Sequence, residues 1–138
     1  MTTEIKELSL PLPYTPHTTA HIHLTRHQTC TTVFLTSSTP GDAAGSIKPM
    51  GSFVYAMPDK NTQRMDPKNV ISTTIYSVPG SVEYTARIAK ILARRMKTPV
   101  YVGGSIEPAT MGVMAEEEIE GVKRIVEVIV KGWEGVKI

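Results

Sequence analysis

The sequence predicts an α+β fold: an antiparallel β-sheet of about six or seven strands packed with two α-helices. Three observations carry that reading. Alternating, β-branched segments fill the first half of the chain in hairpin-like succession. Two segments with a 3.6-residue apolar period fill the second half. Strands that precede helices, rather than alternating with them, argue against a βαβ winding.

The elements follow in order. Residues 7–12 alternate, with Leu8, Leu10 and Leu12 on one face, and Pro11 and Pro13 confine the strand to an edge or end it early. Residues 20–26 alternate again, Ala20, Ile22 and Leu24 against His21, His23 and Thr25. His27-Gln28-Thr29 is a short turn into a Thr- and Val-rich strand over 30–37, which completes a hairpin. A Ser/Thr/Pro/Gly/Ala-rich loop near 37–50 is expected to be mobile. Residues 52–57 form a compact apolar strand stopped by Pro58, a second polar loop expected to be mobile covers 58–68, and 69–77 is a β-branched strand ended by Pro79-Gly80.

Ser81 is the expected N-cap of the first helix, with Glu83 near its positive end. The stripe Thr85, Ile88, Ala89, Leu92, Met96 gives one apolar face, and Thr98-Pro99 stops the helix. Val100-Tyr101-Val102 is a short strand, Gly103-Gly104 a turn at its end, and 110–115 a further strand. The second helix runs from Glu116 to about Lys131 with Ile119, Val122, Ile125, Val126, Ile129 and Trp133 on its apolar face. Glu120 to Arg124 and Glu127 to Lys131 are favourable i, i+4 pairs.

At 138 residues the chain has the size of one domain, taken as 1–138, and a chain of that length can bury roughly two-thirds of its unfolded surface without a staple. Fifteen Lys and Arg against thirteen Asp and Glu leave a net charge of +2, too weak by itself to argue for nucleic acid. The one cysteine, Cys30, excludes an internal disulfide. The longest apolar run, Phe53 to Met57, is far short of a membrane span, and the first seven residues lack the basic flank and apolar stretch of a secretory signal.

Catalytic and metal chemistry is poorly provided for. His17, His21, His23 and His27 cluster in sequence, but no acid lies near them, so three or four ligands with second-shell support are missing and no metal is expected. Cys30 has no surrounding signature of a nucleophile. Gly103-Gly104-Ser105 lacks phosphate-loop spacing. No paired carboxylates or Ser/His/Asp motif is visible, so no catalytic residue or cofactor is assigned. The most polarised surface is the basic stripe of the first helix, Arg87, Lys90, Arg94 and Lys97, joined by Arg95; the second helix answers with Glu116, Glu117, Glu118 and Glu120. Arg87, Lys90, Arg94 and Lys97 are therefore the expected partner-binding residues. A small nucleic-acid-binding domain using that helix is the alternative, although it lacks interleaved aromatics.

The run from Tyr84 to Val102 resembles the helix-then-strand core of the proteasome assembly chaperone 4 family. Leu92-Ala93-Arg94-Arg95 matches its helix end and Val100-Tyr101-Val102 its short aromatic-containing strand. Ala20-His21-Ile22-His23-Leu24, Thr32-Val33-Phe34-Leu35 and Phe53-Val54-Tyr55-Ala56-Met57 are similar to its successive strands, and 111–127 to its last strand and acidic final helix. The ordered set spans roughly residues 8–127. The resemblance implies a non-enzymatic chaperone of early 20S proteasome assembly, cytoplasmic and nuclear, with neither nucleic acid nor membrane as a partner. It implies a heterodimer with proteasome assembly chaperone 3, a homodimer being open to the isolated chain, and engagement of α-type subunits, notably the fifth, while the α ring forms. The loops at 37–50 and 58–68 are longer than the family pattern and look like fungal elaborations. The ending Val136-Lys137-Ile138 lacks the hydrophobic-Tyr-X tail of the first chaperone pair.

Overall fold

Alternating side chains and turn residues build β1 (Glu4–Pro11), β2 (Thr19–Arg26), β3 (Thr31–Ser38), β4 (Ser52–Pro58), β5 (Val70–Tyr76) and β6 (Val100–Gly104), with two helices, α1 (Val82–Met96) and α2 (Ala115–Glu134). The computed structural model describes residues 3–13, 15, 17–42, 48–59 and 70–135. Residues 43–47 of the first expected mobile loop and 60–68 of the second lie outside the described residues.

The strands form one six-stranded sheet in the order β1-β2-β3-β6-β4-β5. Every neighbouring pair is antiparallel except β3 and β6, which run parallel with Val33 opposite Val102. The exception follows from connectivity. Parallel neighbours need a long crossover, and here β4, β5 and α1 supply it before β6 inserts between β3 and β4. The result is the α+β fold that the strand order and helix count predict.

Both helices lie on one face of the sheet. α1 packs on β4, β5 and β6, α2 packs on β1 and β2, and the helices touch each other. The core between the layers is aliphatic: Ile22, Leu24, Val33, Val54, Val100 and Val102 from the sheet meet Ile88 and Leu92 of α1 and Val122, Ile125 and Ile129 of α2. The predicted α1 stripe is buried at every position, from Thr85 to Met96. Gly132 lets α2 approach β1 closely, since a Cβ there would lie 2.7 Å from a Leu8 methyl. Buried polar groups are paired: Trp133 Nε1 donates to Thr31 Oγ1 at 3.0 Å, and the Ser52 and Ser81 hydroxyls share a hydrogen bond of 2.9 Å.

Several local expectations give way. Residues 110–115 are not a strand. Pro108–Met111 form a single 3-10 turn, closed by Gly112 at φ 71, and α2 starts at Ala115. The proline is suited to the first position of a helical turn and cannot donate to a sheet ladder. α2 continues three residues past Lys131, and the β-branched stretch 128–130 stays helical because Ile129 and Val130 are buried beneath it. Ile119, expected on the apolar face, is 48% exposed. Ser81 does occupy the N-cap position of α1, but its hydroxyl turns to Ser52 and the Val78 carbonyl instead of capping. Glu127 pairs with Arg95 of α1 rather than with Lys131, while Glu120 and Arg124 do pair, at 3.6 Å. Gly103 and Gly104 belong to β6 itself rather than to a turn after it. Among the described residues no helix is long and apolar enough to cross a membrane.

Candidate functional site

With both helices on one side, alternation sends every second side chain of the sheet to a face that no helix covers. On β3, β6 and β4 those residues include Phe34, Tyr101, Phe53 and Tyr55. The register places Phe34, Gly103 and Phe53 in one row across three strands, and Tyr101 beside Tyr55 in the next. Phe34 and Phe53 stack with centroids 6.1 Å apart and rings within 7° of parallel. Phe53 stacks on Tyr101 at 5.8 Å, and Tyr101 meets Tyr55 at 4.6 Å with the rings tilted. The Tyr55 hydroxyl reaches the Met57 sulfur at 3.7 Å.

Gly103 is what allows the row to close. A Cβ at that position would stand 2.6 Å from Phe34 Cδ1 and 3.2 Å from Met50 Cγ, so the Phe34 ring and the Met50 side chain use the space over the bare backbone. β5 extends the patch, Ile71 opposite Met57 and Tyr76 opposite Phe53, after a register shift between Phe53 and Val54. Phe34 is 39%, Ile71 48% and Tyr76 58% exposed. Five of the chain's eight aromatic residues thus lie on the side of the sheet away from both helices, Phe53, Tyr55 and Tyr101 of them half-buried.

Toward β1 the same face turns polar. Glu7, Ser9, His21, His23, Phe34 and Thr36 line a hollow of about 700 Å³ that Lys48, Pro49 and Met50 border on one side. His21 Nε2 hydrogen-bonds Ser38 Oγ at 2.6 Å. The histidines therefore sit on the polar face, as the alternation of their strand requires. Among the described residues no three of His, Cys, Asp and Glu stand close enough to share a metal. Cys30 is half-buried in the turn just before β3.

The predicted basic residues lie on the opposite side of the molecule, on α1. The structure divides them. Arg87 turns to α2 and meets Glu118 Oε1 at 3.3 Å, as Arg95 meets Glu127 Oε1 at 2.8 Å. The Arg95 hydrogen bond, reinforced by its charge, holds the Glu127 carboxyl below the usual carboxylate range. Lys90, Arg94 and Lys97 are exposed, and none makes an ion pair with a described residue. Lys97 closes α1 in the left-handed region at φ 55, its N–H donating to the Ala93 carbonyl. Tyr84, buried between the helices, has its phenol pushed up to about 12 by burial and by the Glu118 charge.

The aromatic patch escaped the sequence reading, yet its signal is present. Phe34, Phe53, Tyr55 and Tyr101 each alternate with a core residue, so these strands are apolar on both faces, which a one-sided sheet does not need.

The family model for proteasome assembly chaperone 4 matches residues 19–106, from β2 to the end of β6. β1 and α2 lie outside that stretch. No curated protein sequence matches the chain. In fold the chain is similar to one from a crystal structure of a novel chaperone complex for yeast 20S proteasome assembly, with a TM-score of 0.60, 12% identity and 97% of each chain covered.

Proposed function

Because the chain belongs to the proteasome assembly chaperone 4 family, with a role in proteasome assembly, we propose that it exercises this role through two surfaces and without catalysis. The uncovered aromatic sheet face pairs with a structurally related chaperone, proteasome assembly chaperone 3. The basic flank of α1, Arg87, Lys90, Arg94 and Lys97, meets α-type subunits, notably the fifth, as the α ring forms.

The observation that carries this reading is the row Phe34–Phe53–Tyr101–Tyr55, with Phe34 exposed and the other three half-buried, on a face that neither helix covers among the described residues. Contiguous exposed apolar patches on a folded domain mark interaction sites. Rigid aromatic side chains bury much area at low entropic cost and dominate interface energetics. A sheet face is best covered by another sheet face packed about 10 Å away, which suits a partner of the same architecture. The polar half of the face, with Glu7, His21 and His23, supplies the hydrogen-bonding rim that gives a pair its register. In the isolated chain the same face is available to a second copy.

Position favours protein over nucleic acid. The aromatics occupy the sheet face turned away from α1, so no base could stack on them while its phosphate met Lys90 or Arg94.

The test is co-expression with proteasome assembly chaperone 3 and measurement of the mass in solution. Phe53→Glu should abolish the pair while the isolated variant still folds cooperatively, with a smaller loss of stability than a core truncation such as Leu92→Ala. A heterodimer that survives Phe53→Glu and Tyr101→Glu together would refute the sheet-face interface.

A further inference from the structure

β5 ends the sheet, and among the described residues no strand pairs with its outer edge. The two edges differ in how they are guarded. β1 carries Glu4, Lys6, Glu7 and Pro11, the charges and proline that discourage strand addition. β5 reads Val-Ile-Ser-Thr-Thr-Ile-Tyr, with no charge and no proline. Its Ile75 is 54% exposed. An unguarded β-branched edge of this kind is a template for another strand.

The edge has a charged neighbour. Val70, Ser72 and Thr74 stand opposite Pro58, Ala56 and Val54, which puts them on the helix side of the sheet. There Val70, Ala86 and Ile91 make the apolar part of a groove of about 670 Å³, and Arg87, Lys90 and Arg94 its charged part, with Glu83 of the first helical turn also present. With Arg87 already paired to Glu118, Lys90 and Arg94 against Glu83 leave the groove basic. A strand added to β5 would direct alternate side chains into it. Lys90 and Arg94 have no ion pair with any described residue that such a side chain would have to displace.

We propose that the free edge of β5 and the adjoining flank of α1 form one seat for an extended acidic segment of a partner protein, which adds as a further strand and lays its carboxylates on Lys90 and Arg94. The inference rests on the reading of α1 as partner-facing and specifies the chemistry of what it meets. Backbone hydrogen bonds to β5 supply affinity, and the basic row supplies direction and on-rate.

A short labelled peptide that alternates glutamate with valine and threonine is the probe, followed by fluorescence anisotropy on the whole chain. The peptide should bind, and Lys90→Glu with Arg94→Glu should weaken it by about tenfold or more. N-methylation of alternate peptide amides should abolish binding, because it removes the donors a strand must offer. An N-methylated peptide or a lysine-for-glutamate peptide that binds equally well would overturn the proposal. So would a single-stranded RNA probe that displaces the peptide with a steep salt dependence, which would make the row a phosphate site. Capture of α-type subunits separates the two readings. If Lys90→Glu with Arg94→Glu abolishes capture while the peptide fails to bind, strand addition falls and the α1 surface stands. If the peptide binds as expected while capture is unchanged, the edge seat is supported and only the role of α1 toward those subunits falls.

Discussion

The two faces of one sheet are built from different residues for different ends. The helix-covered face is aliphatic, with Ile22, Leu24, Val33, Val54, Val100 and Val102 each at most 2% exposed. The open face has Phe34, Phe53, Tyr55 and Tyr101 stacked across the three central strands, flanked by histidines, serine and threonine. Aliphatic side chains interdigitate and leave no polar atom to satisfy, which suits a permanent core. Tyrosines combine a large apolar ring with a hydroxyl that tolerates water, which suits a surface exposed before a partner arrives. On the proposed function, the difference between the faces is the difference between folding and assembly.

Truncations should separate the faces most strongly. Leu92→Ala or Ile125→Ala removes a fully buried side chain and should cost about 2–5 kcal/mol of stability in chemical denaturation. Phe53→Ala should cost well under that in the isolated chain, yet weaken chaperone pairing by more than about 2 kcal/mol if it is an interface anchor. Equal destabilisation by both would make the open face part of the core.

Two glycines offer a matched pair, one on each face. Gly132→Val drives a side chain into Leu8 and should destabilise the fold by about 1–3 kcal/mol. Gly103→Val meets Phe34 instead. The ring can swing into solvent, so stability should fall less while partner binding falls more. Binding by the Gly103 variant at full strength would show that the aromatic row is not needed in its observed form.

Burial of Tyr84 on the covered side gives a pH response. Tyr84 titrates near 10 when unfolded and near 12 when folded, so the folded chain binds the extra proton between those values. Stability should be unaffected by this group below about pH 10 and then fall through pH 10–12, by about 2–3 kcal/mol at most. Tyr84→Phe should flatten that part of the profile. The smallest effect is expected from Arg95→Ala. It breaks the exposed contact to Glu127 and should leave the melting temperature nearly unchanged, because such pairs are screened and costly to order.

The covered face could be read from the sequence; of the open face, the sequence carries the apolar character of its strands but not the row they form. The α1 stripe and the alternations Leu8-Leu10 and Ile22-Leu24 each repeat at one period, so burial follows from local pattern. The aromatic row depends on strand order. Phe34 and Phe53 are 19 positions apart in sequence and lie on strands that are not neighbours, with Gly103 of β6 between them. No local pattern announces that a glycine from after the first helix will separate two phenylalanines from before it. The further strand expected over 110–115 fails for a local reason, because Pro108 and Gly112 favour a tight turn. The basic stripe was correctly placed on α1, but only the three-dimensional pairing shows that Arg87 and Arg95 serve the contact between helices while Lys90 and Arg94 do not.

Hydroxyl-radical labelling of the tyrosines, in the isolated monomer and in the co-expressed pair with proteasome assembly chaperone 3, tests the open face most directly. Pairing through that face predicts strong protection of Tyr55, Tyr76 and Tyr101 in the complex and unchanged labelling of the buried Tyr84. Equal labelling of Tyr55 and Tyr101 in both states would contradict it.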